Sequence, residues 1–373
     1  MRLLYVTDSL AVFGGIEKVL TEKVNFFIES WNYEVTILTV NQGNRTIPYP
    51  LNSQVTFVDL DVLFHLQYKY KGLARWWKLN SLHDDFRKKL SKQLSILKPD
   101  IILCLRVEYL SDIAKVIGNK PLIFESHSTF WTSRFERASV FRQLHTIWMN
   151  FQVRRAKAVV ALTTGDAYFW RKINNSVFVI PNLISVNEKN KYSNCLSKSI
   201  IFVGRLSKQK DIDSLLKIWA LVWKEHSDWI LHIYGEKGDV PEDIYQKLLD
   251  ARNGIVFHGS TSDMHEEYGK HSILLLTSYY EPFGLVLPEA MSCGLPVVSY
   301  DCPYGPKDII IDGIDGFLIK DRNVEQFAER VCQLIEDPKL LCKMSQSAII
   351  SSQRYSAKNI IPLWKTFFGS FSK

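Results

Sequence analysis

The chain has 373 residues, with 46 Lys+Arg against 39 Asp+Glu for a net charge of +7, and the composition of an ordinary soluble protein. That length exceeds what one hydrophobic core usually serves, so two domains of about 150 to 200 residues are expected. No apolar run approaches the ~18 residues that cross a bilayer, Asp8 interrupts what would be a signal core, and the six cysteines show no CxxC spacing, so no spanning helix, leader, zinc site or disulfide framework is expected.

Met1 to Asp8 reads as a buried strand. Gly14-Gly15 then opens a helix to about Trp31, with Ile16, Val19, Leu20, Val24 and Phe27 at helical spacing. Glycines let a backbone approach a ligand, although a plain tight turn explains a lone Gly-Gly as well. Strands follow at Glu34 to Val40 and Val55 to Leu60. The acids of Asp59-Leu60-Asp61 alternate as a metal-holding pair can, but no other metal ligand is evident nearby, so they read as solvated.

The helical stretch 67 to 98 begins with residues 67 to 92, which interleave eight basic residues with Tyr68, Tyr70, Trp76, Trp77 and Phe86. Residues 1 to 180 hold 24 Lys+Arg and 15 Asp+Glu, or +9, and the remaining 22 and 24 give −2. No nucleic-acid-binding signature accompanies that charge, so an anionic lipid surface is the expected partner. The plain alternative is a solvated helix with Trp76 or Trp77 in the core.

Strands Asp100 to Leu105 and Leu122 to Glu125 come next, and the second carries Glu125-Ser126-His127 to its carboxyl end. His127 there can donate to a hydroxyl or be satisfied by nearby backbone. Strands Ala158 to Thr163 and Val177 to Ile180 close the first pattern, and the polar stretch after Pro181-Asn182 reads as a linker. Ser199 to Gly204 is the first strand of the second pattern. Arg205 and Lys210 follow it in one strand-to-helix loop, where two cations suit a diphosphate without a metal or are simply solvated. Asp211-Ile212-Asp213 reads as a cap for a helix over 214 to 225. Strands Trp229 to Tyr234 and Ile255 to Phe257 lead to His258-Gly259-Ser260.

Ile273 to Leu276 is an aliphatic run broken by Glu281-Pro282-Phe283-Gly284, and a helix is expected to begin within Leu285 to Pro288 and to end at Gly294. This β-loop-α unit sets Glu281 on the loop and Glu289 about one turn inside the helix, as two acceptors for paired sugar hydroxyls flanking a site that favours anions. The plain alternative is a loop charge and a dipole complement. After strand Pro296 to Tyr300, the segment Cys302 to Ile310 introduces a helix. Strand Phe317 to Ile319, helices over 323 to 336 and 338 to 352, and an aromatic-rich helix from Ala357 to Phe371 complete the chain.

The segment EPFGLVLPE, residues 281 to 289, resembles the retaining glycosyltransferases of family 4 (glycosyl transferases group 1), whose signature is two Glu residues separated by seven. The resemblance is strongest over 199 to 319. It implies an α/β protein of GT-B fold, with two Rossmann-like doubly wound domains facing a cleft: 1–182 for the acceptor, a linker 183–198, 199–355 for the nucleotide sugar, and a helix in 356–373 crossing back to the first domain. It implies catalytic roles for Glu281, His127, Arg205 and Lys210, and donor contacts from Gly14, Gly15, Arg205, Lys210, Phe283, Gly284, Leu285, Glu289, His258 and Gly259, with no metal and no cofactor. The expected activity moves a hexose or N-acetylhexosamine from a nucleotide diphosphate sugar, a UDP-sugar ahead of GDP-mannose, to a glycan acceptor, lipid-linked, in bacterial surface polysaccharide, capsule or lipopolysaccharide synthesis. The expected location is the cytoplasm, with peripheral contact to the inner face of its membrane. A nucleotide-sugar epimerase or a catalytically silent partner subunit on the same scaffold is the alternative. Leu183 stands where the family usually has Gly after Pro-Asn, and the loop GEKGDVPED replaces a tighter glycine turn, which leaves the base open.

Overall fold

The computed structural model describes residues 1–127, 140–185, 192–250, 253–261 and 263–371; positions 186–191 of the expected linker lie outside them. Aliphatic runs without polar alternation can be buried on both faces, and here they pair only in parallel, forming two sheets. The first contains β1 (Arg2–Thr7), β2 (Glu34–Thr39), β3 (Thr56–Asp59), β4 (Ile101–Cys104), β5 (Leu122–Glu125), β6 (Ala158–Ala161) and β7 (Val177–Val179). Its order is β3-β2-β1-β4-β5-β6-β7. The second contains β8 (Ser199–Val203), β9 (Ile230–Tyr234), β10 (Ile255–Gly259), β11 (Ile273–Leu276), β12 (Val297–Tyr300) and β13 (Gly316–Ile319), in the order β10-β9-β8-β11-β12-β13.

Each order reverses once, between β1 and β4 in the first sheet and between β8 and β11 in the second. Such reversals open a crevice beyond the carboxyl ends of the two strands, where ligands of doubly wound sheets bind. Register places Tyr5 beside both Ile37 and Leu103, and Leu275 beside Phe202. The loops after β1, β4, β8 and β11 therefore leave their sheets side by side in pairs.

The chain divides into two compact units, one of Met1–Leu162, Asp166–Ile180 and Trp364–Lys373, the other of Thr163–Gly165 and Pro181–Leu363. Trp364 and Phe368, on the last helix Ala357–Gly369, belong to the first unit because they pack on Phe27 of the helix Gly15–Trp31, with ring centroids 6.0 and 5.5 Å apart. In the second unit Trp219 is buried in a core that also holds Phe327 and Val331. Trimming such a ring to alanine costs about 3–5 kcal/mol. No helix among the described residues is long and apolar enough to cross a membrane.

The helix Gly72–Leu97 buries Leu82, Phe86, Leu90 and Leu94, spaced by four, so only its second half packs on the core. Its first half leaves Trp76 55% and Trp77 67% exposed, with the two indoles edge to face at 5.0 Å. Neither tryptophan is a core residue. Asp59 accepts from Thr39 Oγ1 at 2.9 Å, Gln42 N at 3.0 Å and Gly43 N at 2.9 Å. Its carboxylate ties a loop together, which accounts for it without a metal.

Candidate active site

In the second unit, the loop after β8 carries Gly204, Arg205 and Lys210, and the loop after β11 carries Ser278 and Glu281. Because β8 and β11 are hydrogen-bonded neighbours at the sheet reversal, these loops meet. Lys210 Nζ donates to Glu281 Oε1 at 2.6 Å, and Ser278 Oγ donates to the same oxygen at 2.6 Å. Both ion-pair partners are largely buried, with side chains 14% and 6% exposed. A buried carboxylate is tolerated when paired and hydrogen-bonded, and here both conditions hold. Arg205 is exposed and makes no ion pair among the described residues. Its guanidinium is the available one beside a cation already engaged.

Backbone contacts fix this loop pair. Glu281 N donates to Pro303 O at 2.7 Å, while Tyr304 N and Gly305 N donate to Glu281 O at 2.9 and 3.1 Å. A Cβ on Gly305 would sit 1.9 Å from Phe283 O, so only glycine lets the two segments approach this closely. Gly284, at φ +85°, turns the chain into the helix Val286–Ser292. Phe283 points into the core against Tyr355, ring centroids 5.4 Å apart, so what it gives the loop is backbone placement. Leu285 is half-buried at the helix N-cap. Glu289 is buried in that helix, and Tyr268 Oη donates to its Oε2 at 3.4 Å. Burial, and then the Glu289 charge, push the Tyr268 phenol well above its ordinary range, so it stays a donor at any physiological pH.

Arg322, which the sequence did not single out, supports the same loops. Arg322 donates from Nη1 to Ser278 O and from Nη2 to Thr277 O, each at 2.9 Å, and pairs with Asp211. Asp211 also caps the helix Ile212–Glu225 by accepting from Ser214 N at 3.2 Å, as its position predicted. The segment 235 to 240 closes on the β8 loop, with Gly238 N donating to Leu206 O at 2.9 Å. A Cβ on Gly238 would meet Arg205 Cγ at 2.9 Å, so the glycine leaves room for the arginine stem. At the sheet edge His258 stacks on Tyr234 with centroids 4.4 Å apart and planes 6° from parallel, next to a bulge at Gly259, where φ is +72°.

In the first unit, Gly14 is the extended N-cap of the helix Gly15–Trp31, and a Cβ there would meet the Glu17 carboxylate at 2.2 Å. His127 follows β5 and is buried, its Nε2 2.9 Å from Glu125 Oε1. The same oxygen pairs with Lys23. Burial by itself would raise the Glu125 carboxyl, but Lys23 and His127 outweigh it and hold it at about 2. An ionised carboxylate only accepts, so the proton of the His127–Glu125 bond sits on Nε2, and Nδ1 is the atom His127 can offer to another molecule. The signal for this network was Lys23 itself, a cation on the buried stripe of Val19, Leu20, Val24 and Phe27.

Residues 187–350, which contain the Lys210–Glu281 pair, match the family model for Glycosyl transferases group 1. The whole chain is 27% identical over 360 residues to an uncharacterized glycosyltransferase of Haemophilus influenzae, covering 94% of this chain and 95% of that protein. It is 25% identical to the amylovoran biosynthesis glycosyltransferase AmsD of Erwinia amylovora, over 97% and 98% of the two. S. aureus TarM, solved as a point mutant in complex with fondaparinux, alpha-GlcNAc-glycerol and UDP, superposes with a TM-score of 0.80 at 16% identity, over 98% and 99% of the chains. The fold is thus GT-B, two Rossmann-like parallel sheets each with its own reversal, and both full-length relatives are named as glycosyltransferases.

Proposed function

We propose that the protein is a retaining, metal-independent glycosyltransferase that moves a hexose or N-acetylhexosamine from a UDP-sugar to a lipid-linked glycan in bacterial surface polysaccharide or lipopolysaccharide synthesis. Residues 199–355 hold the donor and residues 1–182 the acceptor. The carrying observation is the Lys210–Glu281–Ser278 cluster with Arg205 beside it, at the reversal of the second sheet. Arg205 and Lys210 neutralise the departing diphosphate, and Glu281 receives hydroxyls of the sugar. The bond from the anomeric carbon to the phosphate oxygen breaks, the acceptor oxygen bonds to that carbon on the same face, and its proton passes to the departing phosphate oxygen. Incubation with a panel of nucleotide sugars should release nucleoside diphosphate from one of them, undiminished by EDTA. Turnover abolished by EDTA and restored by a divalent ion overturns the metal-independent route.

Glu289 is assigned to the ribose. Glu289→Gln removes a charged acceptor, an interaction of about 1.5–3 kcal/mol, so nucleoside diphosphate affinity should fall at least ~10-fold by calorimetry while the bound complex turns over nearly as before. Unchanged affinity places this carboxylate elsewhere.

The acceptor is assigned to a membrane surface. Tyr68, Tyr70, Leu73, Trp76 and Trp77 are exposed among Lys69, Lys71, Arg75 and Lys78, and the helix Val140–Phe151 adds exposed Val140, Leu144, Trp148 and Phe151 at helical spacing. Rings beside ammonium groups suit an interface with anionic headgroups, each cation contributing ~1 kcal/mol. The protein should sediment with anionic vesicles, less as salt rises. Replacing the four cations by Gln should abolish sedimentation and spare donor hydrolysis. Absence of vesicle binding at low salt overturns the assignment.

A further inference from the structure

We propose a divalent transition-metal site, suited to Zn²⁺, where the end of the helix Ile212–Glu225 meets the helix Val324–Glu336. The ligands are the Glu225 carboxylate, the His226 imidazole and the Cys332 thiol, whose ligand atoms all lie within 4.8 Å of one another. Tetrahedral ligands with bonds of about 2.0–2.3 Å stand roughly 3.3–3.8 Å apart. No pair therefore exceeds the spacing an ion needs by more than about 1.5 Å, and rotation of the exposed Glu225 side chain can bring its carboxylate in.

Four further features favour a cation there. Cys332 is 9% exposed, lines a recess of about 560 Å³, and takes no hydrogen bond from another residue among those described. Five carboxylates, those of Glu225, Glu325, Glu329, Glu336 and Asp337, line the same recess against one ammonium, Lys224. Glu336, four residues after Cys332 on the same helix face, has Oε1 3.1 Å from His226 Nε2 and adds a carboxylate at the imidazole. Sulfur with imidazole and carboxylate is a borderline-soft set that selects zinc over magnesium or calcium. The cysteine spacing gave no sign of it because the ligands come from two helices that are far apart in sequence.

The site is structural. It clamps two helices that pack together in the second unit and takes no part in the proposed transfer, so its test reads metal binding directly. Co²⁺ is titrated into the full-length protein carrying Cys195→Ser and Cys342→Ser, which removes the half-buried thiols. One equivalent should produce the visible bands of a tetrahedral cobalt site together with a thiolate-to-cobalt charge-transfer band, and Zn²⁺ should erase both. Ligation takes the proton from the thiol, so affinity should rise with pH. Cys332→Ser should abolish the charge-transfer band, and His226→Ala and Glu225→Gln should each weaken binding at least ~10-fold. With Zn²⁺ at about a hundredfold excess over Kd, the melting temperature should rise by roughly 5 °C or more, and this gain should vanish in Cys332→Ser. Absence of the charge-transfer band in the parent protein, or its survival in Cys332→Ser, overturns the proposal.

Discussion

Lys210→Ala is expected to lower transfer by more than about a hundredfold, the larger of the effects expected from the two cations of the site. Removing one preorganised donor to a developing charge costs about 2.7–4 kcal/mol, or 10²–10³ in rate. The geometry adds a second penalty. Glu281 is buried with Lys210 as its cation, so the alanine variant leaves a carboxylate facing the site where the proposed diphosphate would gather negative charge. Nucleotide affinity should fall along with the rate. Arg205→Ala removes a cation that is paired with no described carboxylate, so it should show the first penalty without the second. The double variant Lys210→Ala/Glu281→Gln separates the two: nucleotide binding by calorimetry should partly recover while transfer stays lost. Glu281→Gln alone should keep nucleotide affinity and lose transfer, because Lys210 is then freed toward the phosphates. Full activity in Lys210→Ala would sink the assignment of the leaving group.

Much of the scaffold was legible because it is written in contiguous residues. The aliphatic run Ile273–Leu276 read as a buried parallel strand and Leu122–Glu125 as a further strand, and the loop at Glu281 was placed at a strand's carboxyl end from Pro and Gly alone. The pairings across the chain were not legible. Lys210 and Glu281 are 71 positions apart and touch because β8 and β11 are neighbours, a fact of strand order that no local pattern carries. Arg322 stands 111 positions from Asp211 and reads in sequence as one more turn residue before a helix. Trp76 and Trp77 could have been core residues on composition, and it is the length of the helix Gly72–Leu97 beyond its buried stripe that sets them outside.

A large effect on stability is expected at Lys23. This ammonium is buried, pairs with Glu125, and lies 4.4 Å over the Trp364 ring and 5.1 Å from the Tyr5 ring centroid. Lys23→Met keeps the apolar stem but removes the charge, leaving Glu125 buried with His127 as its remaining partner. Breaking one side of a buried pair costs about 3–5 kcal/mol, which for a unit of this size lowers the melting temperature by roughly 10 °C. The pH dependence should change sign as well. In the parent protein Glu125 is held at about 2, below its unfolded value, so its contribution is complete above the unfolded carboxylate range of about 4.5 and is lost as pH falls toward 2. Lys23 is the larger of the two partners that lower this carboxyl, so its removal is expected to let burial prevail and lift the carboxyl above its unfolded value. The folded variant then binds more protons than its unfolded chain, so its stability should be greatest at low pH and fall as pH rises through the lifted pKa. Chemical denaturation at pH 3, pH 5 and pH 8 reads both signs: the parent should lose stability from pH 5 to pH 3, and the variant from pH 5 to pH 8. Lys23→Met/Glu125→Gln replaces both charges, and because a buried ion pair often offers little over neutral groups of the same shape, the double variant should regain most of the lost stability. A Lys23→Met protein as stable as the parent at pH 8 would show that Glu125 is held by other groups.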